Sequence, residues 1–143
     1  SRKYKFQNPT AAYFVSFATV YWLDVFTRQE YFSILDEAVN YCRAEKGMEV
    51  FAYCFMPSHV HFPPLAERHA RAVKSKKKNH PPLAPLAGKV IKQKIDYIHN
   101  NPVEQGFVTN PIDWKYSSAR NYAEDETVLK IDNEGMHLGM MEQ

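Results

Sequence analysis

The sequence has two cysteines in 143 residues, Cys42 and Cys54, and no C-x-x-C pair. That disfavours a disulfide framework or a thiolate metal site and fits a reducing compartment. It lacks an uninterrupted apolar run of the roughly 20 residues that a membrane-spanning helix requires. Arg2, Lys3 and Lys5 are followed by no apolar leader core, so a cytoplasmic location with no membrane partner is expected. Net charge is nearly absent as well: 18 Lys and Arg against 16 Asp and Glu leave +2. Overall charge therefore selects no partner, but its distribution does more. From Arg68 to Lys94 nine residues are basic and none is acidic, half of all the Lys and Arg in the chain. Internal repeats and domain-scale linkers are missing too. A single domain over 1–143 is expected, with a core of about 10–122 and a polar tail of about 123–143.

Aromatic rings are plentiful, at 14% of residues. They could fill a core or stack on unpaired bases. Residues 13–22 are aromatic and β-branched with small polar residues interleaved, which predicts a strand. Thr27-Arg-Gln-Glu30 has the spacing of a capping box. Tyr31, Ile34, Leu35, Ala38, Val39 and Cys42 then repeat with helical rhythm, and Gly47 suits the C-cap. Residues 49–56 read as a largely buried strand, broken by Pro57-Ser58. His59-Val-His61-Phe62 opens a neighbouring strand that Pro63-Pro64 is expected to cut short, because proline cannot donate to a ladder. Residues 67–79 are basic with little periodicity, and 80–88 form a proline-rich connector. Lys89 to Asn101 is predicted helical and Pro102 is expected to end it. Strand, helix, strand, strand, helix, with an antiparallel sheet, predicts an α+β domain with its helices packed on one face.

Three features bear on chemistry. His59 and His61 are two apart on a predicted strand, so both imidazoles point to one face and can share a metal ion. Taken alone the pair also fits two ordinary core or surface histidines. Tyr97 and Asn101 are four apart on the predicted helix and share a face, beside Asp96, His99 and Asn100. Alone, Tyr97 also reads as a core tyrosine with its hydroxyl at the surface. Arg68, Arg71, Lys74, Lys76, Lys77 and Lys78 could neutralise phosphates, or form a solvated loop. Together they describe phosphodiester transfer, which needs a nucleophile, charge stabilisation at the phosphate and a track for the backbone. A tyrosine hydroxyl, with a pKa near 10, is a poor nucleophile unaided. A divalent cation on two histidines would polarise the phosphate, and an amide oxygen could complete its coordination.

Met56-Pro-Ser-His-Val-His61 resembles the HUH motif of the IS200-like and REP-associated tyrosine transposases, commonly M-P-N-H-V-H. Asp96-Tyr-Ile-His-Asn-Asn-Pro-Val103, followed by Gly106-Phe-Val108, resembles the tyrosine helix of that family. Tyr116-Ser-Ser-Ala-Arg-Asn-Tyr122 resembles a third block. The resemblance reaches to about residue 122, and the combination of the three motifs is far more specific than the histidine pair. It implies a ferredoxin-like HUH fold and a DNA endonuclease that acts in transposition. The tyrosine of such an enzyme attacks a DNA phosphate and becomes 5′-phosphotyrosyl-linked, leaving a free 3′-hydroxyl. Carried onto this chain, the nucleophile is Tyr97, and His59 and His61 hold Mg²⁺ or Mn²⁺ with Asn101 as third ligand. The implied substrate is single-stranded DNA beside a hairpin. Related insertion-sequence enzymes work as dimers with the tyrosine helix exchanged, whereas some REP-associated ones act as monomers, and the sequence leaves both open.

Two departures stand out. Phe62-Pro63-Pro64 replaces a hydrophobic strand, and 35 residues separate His61 from Tyr97, where relatives carry a longer stretch with a DNA-contacting helix. Two other readings compete with the enzyme. One is a degenerate descendant that grips hairpins or single strands without cutting. The other is a small metalloprotein unrelated to DNA, which leaves the tyrosine-helix block unexplained.

Overall fold

The computed structural model describes residues 13–67, 88–123 and 125–132. Strand β1 (Tyr13–Ala18) leads through a 3₁₀ turn at Val20–Trp22 to helix α1 (Gln29–Lys46). Strands β2 (Met48–Val50), β3 (Cys54–Phe55) and β4 (His59–Glu67) follow. Helix α2 (Gly88–Glu104), a 3₁₀ turn at Pro111–Asp113 and the short helix α3 (Ala119–Tyr122) complete the order. β4 lies between β1 and β2 and is antiparallel to both, and β3 also pairs with it. β1 and β2 therefore run in the same direction, joined by α1, with β4 inserted between them. This is an α+β arrangement on a small antiparallel sheet. Among the described residues, no helix is long and apolar enough to cross a membrane.

The predicted buried strand and its partner form one hairpin. Met48 pairs with Glu67, Val50 with Leu65, Cys54 with His61 and Phe55 with Val60, which is a single register. Pro57-Ser58 makes the turn, and the Met56 N–H donates to the His59 carbonyl at 2.8 Å.

Contrary to expectation, Pro63-Pro64 does not end β4, which runs on to Glu67. The prolines instead open a gap in the pairing on both sides. On one side residues 51–53 leave the ladder, and the shared register puts Ala52 opposite Pro63, which has no N–H to give. On the other side Val15 pairs with Phe62 but Tyr13 with Leu65, so β4 holds one extra residue there, a bulge. Proline is tolerated because the strand bulges where the missing donor falls.

Strand alternation splits the interior into two cores. Val50, Tyr53, Phe55, Val60 and Phe62 face α1, whose Phe32 and Val39 are buried among them. Each such apolar side chain contributes about 1.5–3 kcal/mol when fully buried. Ala52, Cys54 and Met56 point the other way and meet Ile95 and Ile98 of α2. The helices therefore cover opposite faces of the sheet, not one face as the sequence suggested. The alternate residues of β3 are apolar as well, so the second face also needs a cover. His59 and His61 share that second face, beneath α2.

Three local expectations change similarly. The capping box does not form: Arg28 is the N-cap, in extended conformation and without a side-chain bond. The first helical turn closes on the Arg28 carbonyl, which accepts from Tyr31 and Phe32, so Thr27 lies one residue outside the helix. Pro102 lies inside α2 and is fully buried. Losing one N–H is offset by this burial, and the helix ends later, with the Phe107 N–H on the Pro102 carbonyl at 2.9 Å and Gly106 at φ 77°. Gly47, at φ 64°, does cap α1 as predicted. The stretch expected to be a polar tail also enters the core, since Leu129 belongs to the cluster under α1. Asp132 closes the β2 edge: its N–H donates to the Val50 carbonyl at 2.7 Å, and its carboxylate accepts the Val50 N–H at 2.8 Å.

Candidate functional site

The two-residue repeat of β4 sends His59 and His61 to the α2 side, with ring centroids 4.8 Å apart. Both are buried, at 3% and 6% exposure. Helix α2 crosses above them. Ile95 and Ile98 anchor it to the sheet, which turns Asn101 inward and leaves Tyr97 at the rim. Tyr97 is 49% exposed, and its ring centroid lies 6.2 Å from that of His61. Asn101 is buried and lies near enough to His59 for its side chain to bear on that ring's titration. The fold thus brings together four of the residues singled out in the sequence: His59, His61, Tyr97 and Asn101. Arg68, Arg71, Lys74, Lys76, Lys77 and Lys78 lie outside the described residues.

Burial sets the electrostatics of the pair. Desolvation, with the neighbouring His59 adding to it, lowers the His61 pKa to about 4. His59 is lowered by the same desolvation, partly offset by Asn101 and by Asp24. Both imidazoles are therefore neutral at pH 7, the form that binds metal. Ser58 Oγ lies 3.1 Å from His59 Nδ1 and orients that ring.

Neither ring nitrogen of His61 has a hydrogen-bond partner, and neither does Asn101 Nδ2. A buried polar atom without a partner costs about 1–3 kcal/mol, so such atoms cluster where a ligand is to be met. The residues present thus fit a cation held by His59 and His61, with the Asn101 amide oxygen beside them. Among the described residues no three His, Cys, Asp or Glu side chains gather to hold a metal ion. The donor set would be two imidazoles and an amide, neutral throughout, with room for oxygen ligands from water or substrate.

Three further residues reach the site and were not singled out in the sequence. Lys94 extends its amine over the rings of Phe14, at 5.2 Å, and Tyr97, at 5.9 Å. It stands one helical turn before the tyrosine, a spacing that could have flagged it. Phe14 of β1 packs against His61 with centroids 5.9 Å apart. The Trp22 and His59 rings meet edge to face, with centroids 5.2 Å apart. Tyr21 and Trp22 hold positive φ angles of 58° and 56°. That conformation costs a non-glycine residue roughly 1–2 kcal/mol, and no composition signal announces it.

An open groove of about 660 Å³ runs along the other side of α2, lined by Asp96, Asn100, Glu104, Ile112 and Tyr122, and Tyr97 stands on the ridge between it and the histidines. At its base His99 Nε2 lies 2.7 Å from Ser118 Oγ, and burial lowers its pKa to about 4. Ser118 Oγ also accepts the Tyr53 N–H at 2.9 Å, which ties α2, α3 and β3 together.

No protein-family model, curated protein or solved structure matches this chain.

Proposed function

We propose that this chain is a metal-dependent, single-strand DNA endonuclease of the HUH tyrosine transposase type, acting in DNA transposition, with Tyr97 as nucleophile. The observation that carries the reading is the convergence of Tyr97 with two buried, neutral histidines within one chain. The strand order supports a ferredoxin-like core, because β1, α1 and β2 with β4 inserted form a split βαβ unit. The placement of α2 over the second face departs from a layout with both helices on one side, and it is what brings the tyrosine to the histidines.

In the proposed reaction Tyr97 Oη bonds to the phosphorus of a phosphodiester as the bond to the 3′-oxygen breaks. The tyrosine proton is lost, the released 3′-oxygen gains one, and the 5′ end stays on the tyrosine as a phosphodiester. Lys94 places a positive charge beside the ring where negative charge develops. A bound Mg²⁺ or Mn²⁺ would supply Lewis-acid polarisation of the phosphate. His59 and His61 would hold it, with Asn101 as the third protein donor. Monomeric action is favoured, because no second chain is needed to bring Tyr97 beside His61.

The test is incubation with single-stranded oligonucleotides carrying hairpins, with Mg²⁺, Mn²⁺ or EDTA. A covalent protein–DNA band that needs the cation and vanishes in Tyr97→Phe is expected. An undiminished band in Tyr97→Phe refutes the nucleophile assignment.

A further inference from the structure

We infer that Tyr21 and Trp22 form a stacking platform for an unpaired nucleobase of the substrate strand next to the phosphate at the centre formed by His59, His61 and Tyr97. This rests on the reading of the site as a single-strand DNA site. Tyr21 and Trp22 are 88% and 65% exposed, at the tip of the turn that follows β1. Both adopt left-handed backbone conformations, so the fold holds two consecutive side chains outward against their local preference.

The turn that carries them is firmly tied down. Thr19 donates its N–H to the Ser58 carbonyl at 2.8 Å and its hydroxyl to the Leu23 carbonyl at 2.6 Å. The Trp22 N–H returns to the Thr19 carbonyl at 3.0 Å. Val25 and Phe26 both donate to the Pro57 carbonyl, at 3.0 and 2.9 Å. Every one of these ties ends on the turn itself or on Pro57-Ser58, the residues immediately before His59. The backbone that carries the rings is thereby held relative to the histidine pair, and the Trp22 and His59 rings meet edge to face with centroids 5.2 Å apart.

A nucleotide carries its base one sugar away from its phosphate. A phosphate at the centre formed by His59, His61 and Tyr97 therefore brings an adjoining base within reach of Trp22 and, beyond it, Tyr21. Flat aromatic faces suit any base, because every base has a π-face. Val20, Leu23 and Val25 are exposed in the same turn, so a second copy covering this apolar stretch is the competing occupant, which the sedimentation measurement below reads.

The experiment compares the full chain's affinity for a fluorescein-labelled dT20 with that for a 20-unit abasic spacer of the same backbone charge, in Mg²⁺ with Tyr97→Phe as background to prevent cutting. Dissociation constants are read by anisotropy. The wild-type loop should favour dT20 by about tenfold or more, as stacking implies. Trp22→Ala should lose most of this preference while binding of the abasic strand stays unchanged, Tyr21→Ala should lose part of it, and Trp22→Phe should keep most of it. Circular dichroism of each variant confirms folding, and should Trp22→Ala unfold, Tyr21→Ala and Trp22→Phe carry the test. A preference that survives in Trp22→Ala and Tyr21→Ala, or no binding of either strand, overturns the platform. So does a dimer by sedimentation that Trp22→Ala dissolves with the dT20 preference intact. The outcome is separable from the nucleophile assignment: base preference in a chain that never forms an adduct refutes Tyr97 chemistry alone, and adduct formation without base preference refutes the platform alone.

Discussion

The ring of Tyr97 stands 6.2 Å, centroid to centroid, from that of His61, at an interplanar angle of 69°. The two residues come from different elements on one chain, and their approach follows from the burial of Ile95 and Ile98 against β3. Tyr97, the proposed nucleophile, and the histidines, the proposed metal ligands, are so placed within one chain. If the chain cuts single-stranded DNA, mixing Tyr97→Phe with a His59→Ala, His61→Ala double variant should restore no adduct formation. Restored activity in the mixture would show that the functional site is built across two chains.

Metal binding should depend on the histidines and not on the tyrosine. Saturating Mn²⁺ is expected to raise the melting temperature of the wild-type chain and of Tyr97→Phe, since a ligand bound to the native state alone stabilises it. The rise should disappear in His61→Ala and shrink in Asn101→Ala. Differential scanning fluorimetry with and without EDTA reads this, and an unchanged shift in His61→Ala would place the cation elsewhere.

Lys94 should matter more to the chemical step than to DNA affinity. Its amine lies near the Tyr97 ring, where a phenolate oxygen or a crowded phosphate would develop charge. Lys94→Met is expected to slow adduct formation about tenfold to a hundredfold with a smaller effect on binding, and Lys94→Arg to recover part of the rate. Single-turnover rates set beside dissociation constants separate the two effects. An equal loss in both, unrelieved by arginine, would reduce Lys94 to a phosphate contact.

Acid should weaken the fold through His99. Its pKa is near 4 when folded and near 6.5 when unfolded, so between these values the unfolded chain takes up a proton that the folded chain refuses. The stabilisation is complete above about pH 6.5 and declines as pH falls toward 4, by about 3 kcal/mol at most. Denaturant melts from pH 7.5 to 4, in EDTA, should show this slope, and His99→Gln should flatten it. His61 adds to the same limb, so a residual slope is expected.

Ser118→Ala should be disproportionately costly for so small a change. The hydroxyl meets the Tyr53 backbone and His99 at once, and its contacts with Tyr53 are buried from water while that with His99 is partly so. Leaving a buried N–H unanswered costs about 1–3 kcal/mol. A melting point within a degree of wild type would mean that water or a shifted backbone replaces the hydroxyl.

What could be read from the sequence divides by range. The helical rhythm after Arg28, the Gly47 cap and the placement of His59 and His61 on one face are local patterns that the structure follows, whereas the strand expected over 13–22 ends at Ala18 and gives way to a 3₁₀ turn. The spacing of Tyr97 and Asn101 was equally local, although their reach to the histidines needed α2 on the second face. That placement is non-local, because periodicity shows which side of a helix is apolar but not which side of a sheet it will cover. Pro63, Pro64 and Pro102 misled for a related reason: a proline removes one donor, and bulging or burial can absorb that loss. Thr27 had the spacing of a cap, but the first helical turn closes on the Arg28 carbonyl, which accepts from Tyr31 and Phe32, so the helix starts after Arg28. Lys94 was one of nine basic residues in a stretch without an acidic one, and Trp22 the end of a predicted strand, until the neighbouring rings were in place.

Asp132 has a bearing on how copies of this protein meet. A β-strand with one open side offers its peptide groups to any other extended chain, and sheets that leave such a border bare are prone to stack border to border. Here the Val50 donor and acceptor are both occupied by Asp132, which Arg43 holds in an ion pair at 2.8 Å. A few residues near the end of the described chain therefore do double duty: they seal the floor of one core with Leu129 and blunt the side of the sheet on which self-assembly into ribbons would otherwise begin.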